Sequence, residues 1–70
     1  MQLTEKEQAV AQAAAKLGTP AHATLEQMAI LAREAGMTYG KVASLWERAE
    51  VRAEAANIRR RAGKKVSKSC

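Results

Sequence analysis

Aspartate and phenylalanine do not occur in the 70 residues, and cysteine, histidine, proline, tryptophan and tyrosine occur once each. The lone thiol, Cys70, has no second cysteine to pair with, so an intramolecular disulfide is excluded. With His22 it makes two soft ligands, too few for structural zinc, and this usage fits a reducing compartment. No metal and no cofactor are expected. One histidine, one cysteine and glutamates spread along polar helix faces do not assemble a nucleophile, base or acid pair, and no glycine-rich phosphate loop is present. The chain is not expected to be an enzyme. Long apolar runs are missing as well. Nothing approaches the roughly 20 residues that span a bilayer, and the start, MQLTEKEQ, has no signal-peptide run. The expectation is a cytoplasmic protein with no membrane partner.

What is present is alanine. Sixteen alanines make up much of the apolar fraction, beside five leucines, four valines, three methionines and two isoleucines. Alanine lets helix backbones approach closely but buries little area, and a chain this short hides only about 60% of its unfolded surface. Association with a second copy is therefore expected.

Charge is unevenly placed. Residues 1–58 hold six basic and seven acidic side chains, net −1, whereas Arg59, Arg60, Arg61, Lys64, Lys65 and Lys68 add six positives with no acid among them. The body is nearly neutral and the end is a polycation.

TEKE at 4–7 has the capping-box pattern, and Val10, Ala13, Ala14 and Leu17 follow at helical spacing until Gly18-Thr19-Pro20. A first helix is predicted over about 4–17. Thr24 with Gln27 repeats the pattern, and Leu25, Met28, Leu31, Ala32 and Ala35 share a face that ends at Gly36, predicting a second helix over about 25–35. Thr38 caps a third run with no proline or glycine between Lys41 and Ala62. Unbroken, it would be about 36 Å long, with an apolar stripe of Val42, Leu45, Trp46, Ala49, Ala53 and Ala56. Its second half is too long for so small a body to cover, so Leu45, Ala49, Ala53 and Ala56 are the expected dimer interface. The reading is an all-α domain over 1–62, a helix-turn-helix corner with a long C-terminal helix forming a homodimer, followed by a flexible basic tail over 63–70.

Residues 28–47, MAILAREAGMTYGKVASLWE, resemble the DNA-binding helix-turn-helix signature. The small residue of its first helix falls at Ala32, the turn glycine at Gly36, and the apolar positions at Leu31, Met37, Val42 and Leu45. The resemblance implies a reading helix that starts at Thr38 and offers Tyr39, Lys41 and Ser44 to DNA, with Arg59, Arg60, Arg61, Lys64 and Lys65 as phosphate contacts. The first eight residues after the cap hold no arginine, asparagine or glutamine, and Gly40 has no side chain to offer.

The same corner can present a surface to a protein through Tyr39, Trp46 and Glu47. Trp46 and Leu45 are adjacent, so one of them lies at the margin of the stripe. The larger, with an indole N–H that needs a partner, is the better candidate for an interface, and its competing reading is ordinary core or homodimer filling, the general tendency of aromatics on a helix stripe. In size and style the stretch AGMTYGKVASLWERAEVRAEAANIRR is similar to small early proteins of temperate phages, some of them anti-activators that bind host transcription regulators. That resemblance implies a non-catalytic homodimer that inhibits a host regulatory protein, in the host cytoplasm if phage-encoded. Because bases are poorly served by the helix after the corner, inhibition of a host protein is the expectation placed first, and DNA-binding transcriptional control the alternative.

Overall fold

Threonine opens three of the four helices. In the computed structural model, which describes residues 3–69 and their side chains through residue 62, these are α1 (Glu5–Leu17), α2 (Leu25–Ala35), α3 (Tyr39–Trp46) and α4 (Ala49–Ser69). The fold is all-α, with no strand among the described residues. Thr4 Oγ1 accepts from the Glu7 N–H at 3.2 Å while Glu7 Oε1 accepts from the Thr4 N–H at 2.8 Å. Thr24 and Gln27 repeat this reciprocal pair at 3.1 and 2.9 Å, and the Lys41 N–H donates to Thr38 Oγ1 at 3.3 Å. Each cap satisfies donors that a helix start leaves without partners.

Glycine ends the first two helices. Gly36 has φ of 71°; its N–H donates to the Arg33 carbonyl and that of Met37 to the Ala32 carbonyl, the paired closure of a Schellman motif. Gly18, at φ 73°, closes α1 onto Ala14. These stops aim the chain back so that α1 touches each of the other helices, whereas α2 and α4 do not pack on each other among the described residues. The core between them is Val10, Ala11, Ala13 and Ala14 of α1, Met28, Leu31 and Ala32 of α2, Val42 and Trp46 of α3, and Val51 and Ala55 of α4.

The long third helix is not formed as one piece. It breaks at Glu47 and Arg48 into α3 and α4, although neither residue is a helix breaker. The cause is angular. At about 100° per residue, Val51 lies about 180° around a continuous helix from Val42, and Ala55 and Ile58 follow Val51. Unbroken, the helix could not turn Val42 with Trp46 and Val51 with Ala55 toward one core. The two-residue bend brings both faces inward: Val42 and Val51 are fully buried, and Ile58 packs at the edge. The alanines assigned to the stripe, Ala49, Ala53 and Ala56, are in phase with Val42 but end on the exposed side of α4.

The backbone of α4 runs to Ser69. Side chains after Ala62, and Cys70 altogether, lie outside the described residues; over 63–69, where a flexible tail is expected, the backbone continues α4.

Candidate functional site

The corner between α2 and α3 is built by three inward side chains. Leu31 and Val42 are completely buried, Ala32 nearly so, and Met37 in the turn packs at their edge. Because those positions face in, the start of α3 faces out. Tyr39, Gly40, Lys41 and Ser44 are all exposed. The side of α3 that carries Lys41 and Ser44 offers one ammonium and one hydroxyl, with the Tyr39 hydroxyl across the helix at its first residue, chemistry suited to hydrogen bonding with phosphate oxygens or base edges.

Trp46 is almost wholly interior and shows only an edge to the groove beside the bend. It is 5% exposed, and its indole Nε1–H donates to the Pro20 carbonyl at 3.0 Å, which ties the end of α3 to the loop before α2. The order assigned to the neighbouring pair is reversed: Trp46 fills the core and Leu45 lies half-buried at its rim. Glu47 is exposed at the bend, and its carbonyl accepts from Arg52 Nη2 at 3.0 Å. So the structure does not bring Tyr39, Trp46 and Glu47 together as one contact surface. Tyr39 and Trp46 close opposite ends of α3, about 10 Å apart along its axis.

The cations divide by whether an acid sits beside them. Lys16 pairs with Glu34 at 2.8 Å, Arg48 with Glu7 at 3.1 Å and Arg61 with Glu54 at 3.5 Å. Among the described residues Lys6, Arg33, Lys41, Arg59 and Arg60 carry no ion pair and are exposed. Lys64 and Lys65 fall outside the described side chains. The dimer residues also separate: Ala49, Ala53 and Ala56 are exposed and Leu45 half-covered. Within the single chain α1 covers α4 along Val51 and Ala55 and leaves the side of Ala49, Ala53 and Ala56 uncovered.

Two features escaped the sequence reading. Glu7 is buried apart from its edge and joins the start of α1 to the α3–α4 bend through Arg48. The Thr4 backbone N–H, chiefly, holds its carboxyl below the ordinary glutamate value; burial opposes this, and the Thr4 hydroxyl and the Arg48 charge reinforce it. The second is an open groove of about 450 Å³ beside the bend, walled by Met28, Ala43 and Trp46 and edged by His22, Glu47 and Arg52. The Nε of Arg52 is buried and has no hydrogen-bond partner among the described residues. No signal of spacing could have placed Arg52 against the loop at Ala21, because the bend that carries it was itself not foreseen.

No helix among the described residues is long and apolar enough to cross a membrane, and none of their His or Glu side chains gather into a metal-holding group. Comparison with known proteins finds no matching family model, no matching curated protein and no matching solved structure.

Proposed function

We propose that the protein is a small non-enzymatic regulator that binds duplex DNA through the start of α3, with the cations of α4 as a sequence-indifferent anchor. One observation carries this reading. The α2–α3 corner turns Leu31, Ala32 and Val42 inward and leaves Lys41 and Ser44, about 60° apart around the helix, exposed on one side of its start, with Tyr39 exposed about 140–160° away at its first residue. Lys41 is the one cation there, free of any acid among the described residues. The anionic duplex supplies the complementary charge. Fluorescence anisotropy against a panel of random-sequence duplexes tests it. Binding that differs between duplexes and loses that difference in Lys41→Ala with Ser44→Ala supports the reading; binding that responds only to Arg59, Arg60 and Arg61 removes the corner from it.

The protein-binding reading, a phage-type inhibitor of a host regulatory protein, is favoured by a different observation from the one that first suggested it. Trp46 is withdrawn, but Leu25 is 78% and Ile30 50% exposed on α2, and Tyr39 is 40% exposed on α3. Leu17, 40% exposed, lines one cleft with Ile30, and exposed apolar side chains that lie together favour a partner. A host protein retained by the wild type and by Lys41→Ala, but released by Leu25→Ser with Ile30→Ser, supports this second reading. Retention that ignores Leu25 and Ile30 sinks it.

A further inference from the structure

The joint between α3 and α4 consists of two residues, Glu47 and Arg48, and both favour helix. Glu47 keeps right-handed helical angles, φ −70° and ψ −18°, and its N–H still donates to the Ala43 carbonyl at 3.2 Å as in an uninterrupted helix. Helicity fails one residue later. The Arg48 N–H turns to the Leu45 carbonyl at 3.1 Å, and the Ala49 N–H finds no backbone acceptor among the described residues. Local chemistry thus prefers to continue, and tertiary packing holds the bend. The groups that hold it are Val51 and Ala55 in the core, the Glu7–Arg48 pair at 3.1 Å, and Gln8 Nε2 donating to Glu54 at 3.2 Å.

We propose that the α1 face filled by α4 within one chain is also the docking surface for α4 of a second copy, reached when α3 and α4 merge into one helix. Merging turns Val51, Ala55 and Ile58 about 180° away from Val42 and Trp46. They can no longer return to their own α1. The complementary face then available is the α1 of a second chain that has opened in the same way. Reciprocal exchange rebuilds the whole α1–α4 interface between the two chains, including the hydrogen bond of Gln8 with Glu54. It also returns to Ala49 a backbone acceptor inside the merged helix. Short hinges between exchangeable elements are the known setting for such swaps. The merged helix over residues 39–69 would be about 46 Å long, with an α2–α3 corner at each end of the pair.

The test uses full-length chains in a Cys70→Ser background. One carries Gln8→Cys and the other Glu54→Cys, so that a short bis-maleimide joining the two positions between chains reports exchange. A third chain carrying both cysteines gives the link within one chain. Mixtures are incubated at millimolar concentration and resolved by mass. Ala49→Pro suits the first position of a separate α4 but breaks a merged helix. Three glycines inserted between Glu47 and Arg48 lengthen the joint and leave every core side chain in place, while separating Arg52 from the Glu47 carbonyl. We expect interchain 8–54 links with the natural joint, several-fold more with Glu47→Ala plus Arg48→Ala, and none with either Ala49→Pro or the glycine insertion. Any other pattern overturns the proposal, including no interchain link with the natural joint or links that survive both blocking variants. Circular dichroism confirms that each variant is folded.

Discussion

Trp46 shows how much one side chain decides. A tryptophan beside a leucine on a helix is a candidate contact residue, yet here the ring is interior and its N–H is satisfied by Pro20. Trp46→Ala is expected to cost about 3–5 kcal/mol, comparable with the whole net stability of a chain this size. Urea denaturation should show a broad or absent transition for that variant, so any binding it loses reports unfolding and not a missing partner group. The two glycines of the corner make opposite predictions. At Gly36 an added Cβ meets nothing within 4 Å, but φ is 71°, so Gly36→Ala should destabilise by about 1–2 kcal/mol through backbone strain alone. At Gly40 the space is equally open and the residue is helical, so Gly40→Ala should stabilise by about 0.5–1 kcal/mol. Thermal melts of the two variants in one buffer check both signs.

At the scale of helices, the sequence was most legible where short-range chemistry governs. Thr4, Thr24 and Thr38 with Gly18 and Gly36 mark starts and stops through hydrogen bonds no more than five residues long, and α1 and α2 lie within a residue of their expected bounds. The α3–α4 bend was not legible, because alanines at 49, 53 and 56 continue the Val42 phase and hide the antiphase set of Val51, Ala55 and Ile58. Alanine carries too little area to vote on which face is buried, whereas the branched side chains at 51 and 58 carry more. The consequence is testable. Val51→Ala should cost about 2 kcal/mol, from two buried carbons at ~0.8 kcal/mol each plus a cavity term. Ala53→Ser, on the exposed side, should change stability by no more than about 0.5 kcal/mol. The start of α1 adds a pH dependence. Since the folded carboxyl of Glu7 titrates below its ordinary value, its contribution is fully present above the unfolded value and is lost as pH falls through the folded one. Glu7→Gln keeps an amide able to close the capping box but removes the charge beside Arg48. The difference in melting temperature between wild type and Glu7→Gln should therefore be constant near neutrality and shrink as pH drops below ~4.3. A difference that grows with acidity would place the Glu7 effect elsewhere.

For the molecule as a whole, the decisive quantity is how its charge is divided between body and end. Residues 1–58 are net −1 and residues 59–70 are net +6, so any polyanion meets the end of α4 more favourably than the body. An anchor and a reader leave different marks on salt dependence. If all six cations of residues 59–70 engaged phosphates, the logarithm of the binding constant would fall with the logarithm of salt at a slope of roughly −5. Replacing Arg59, Arg60 and Arg61 by alanine should then flatten that slope by roughly 3 and weaken all duplexes alike. Lys41→Ala should flatten it by no more than roughly 1. Its larger effect should be on the ratio of affinities between duplexes of different sequence, because Lys41 stands on the exposed start of α3 and not on the polycationic end. Titrations at several salt concentrations separate the two. A slope that the triple substitution leaves unchanged removes α4 as the anchor, and affinity ratios that Lys41→Ala leaves unchanged leave the corner as a folding device alone.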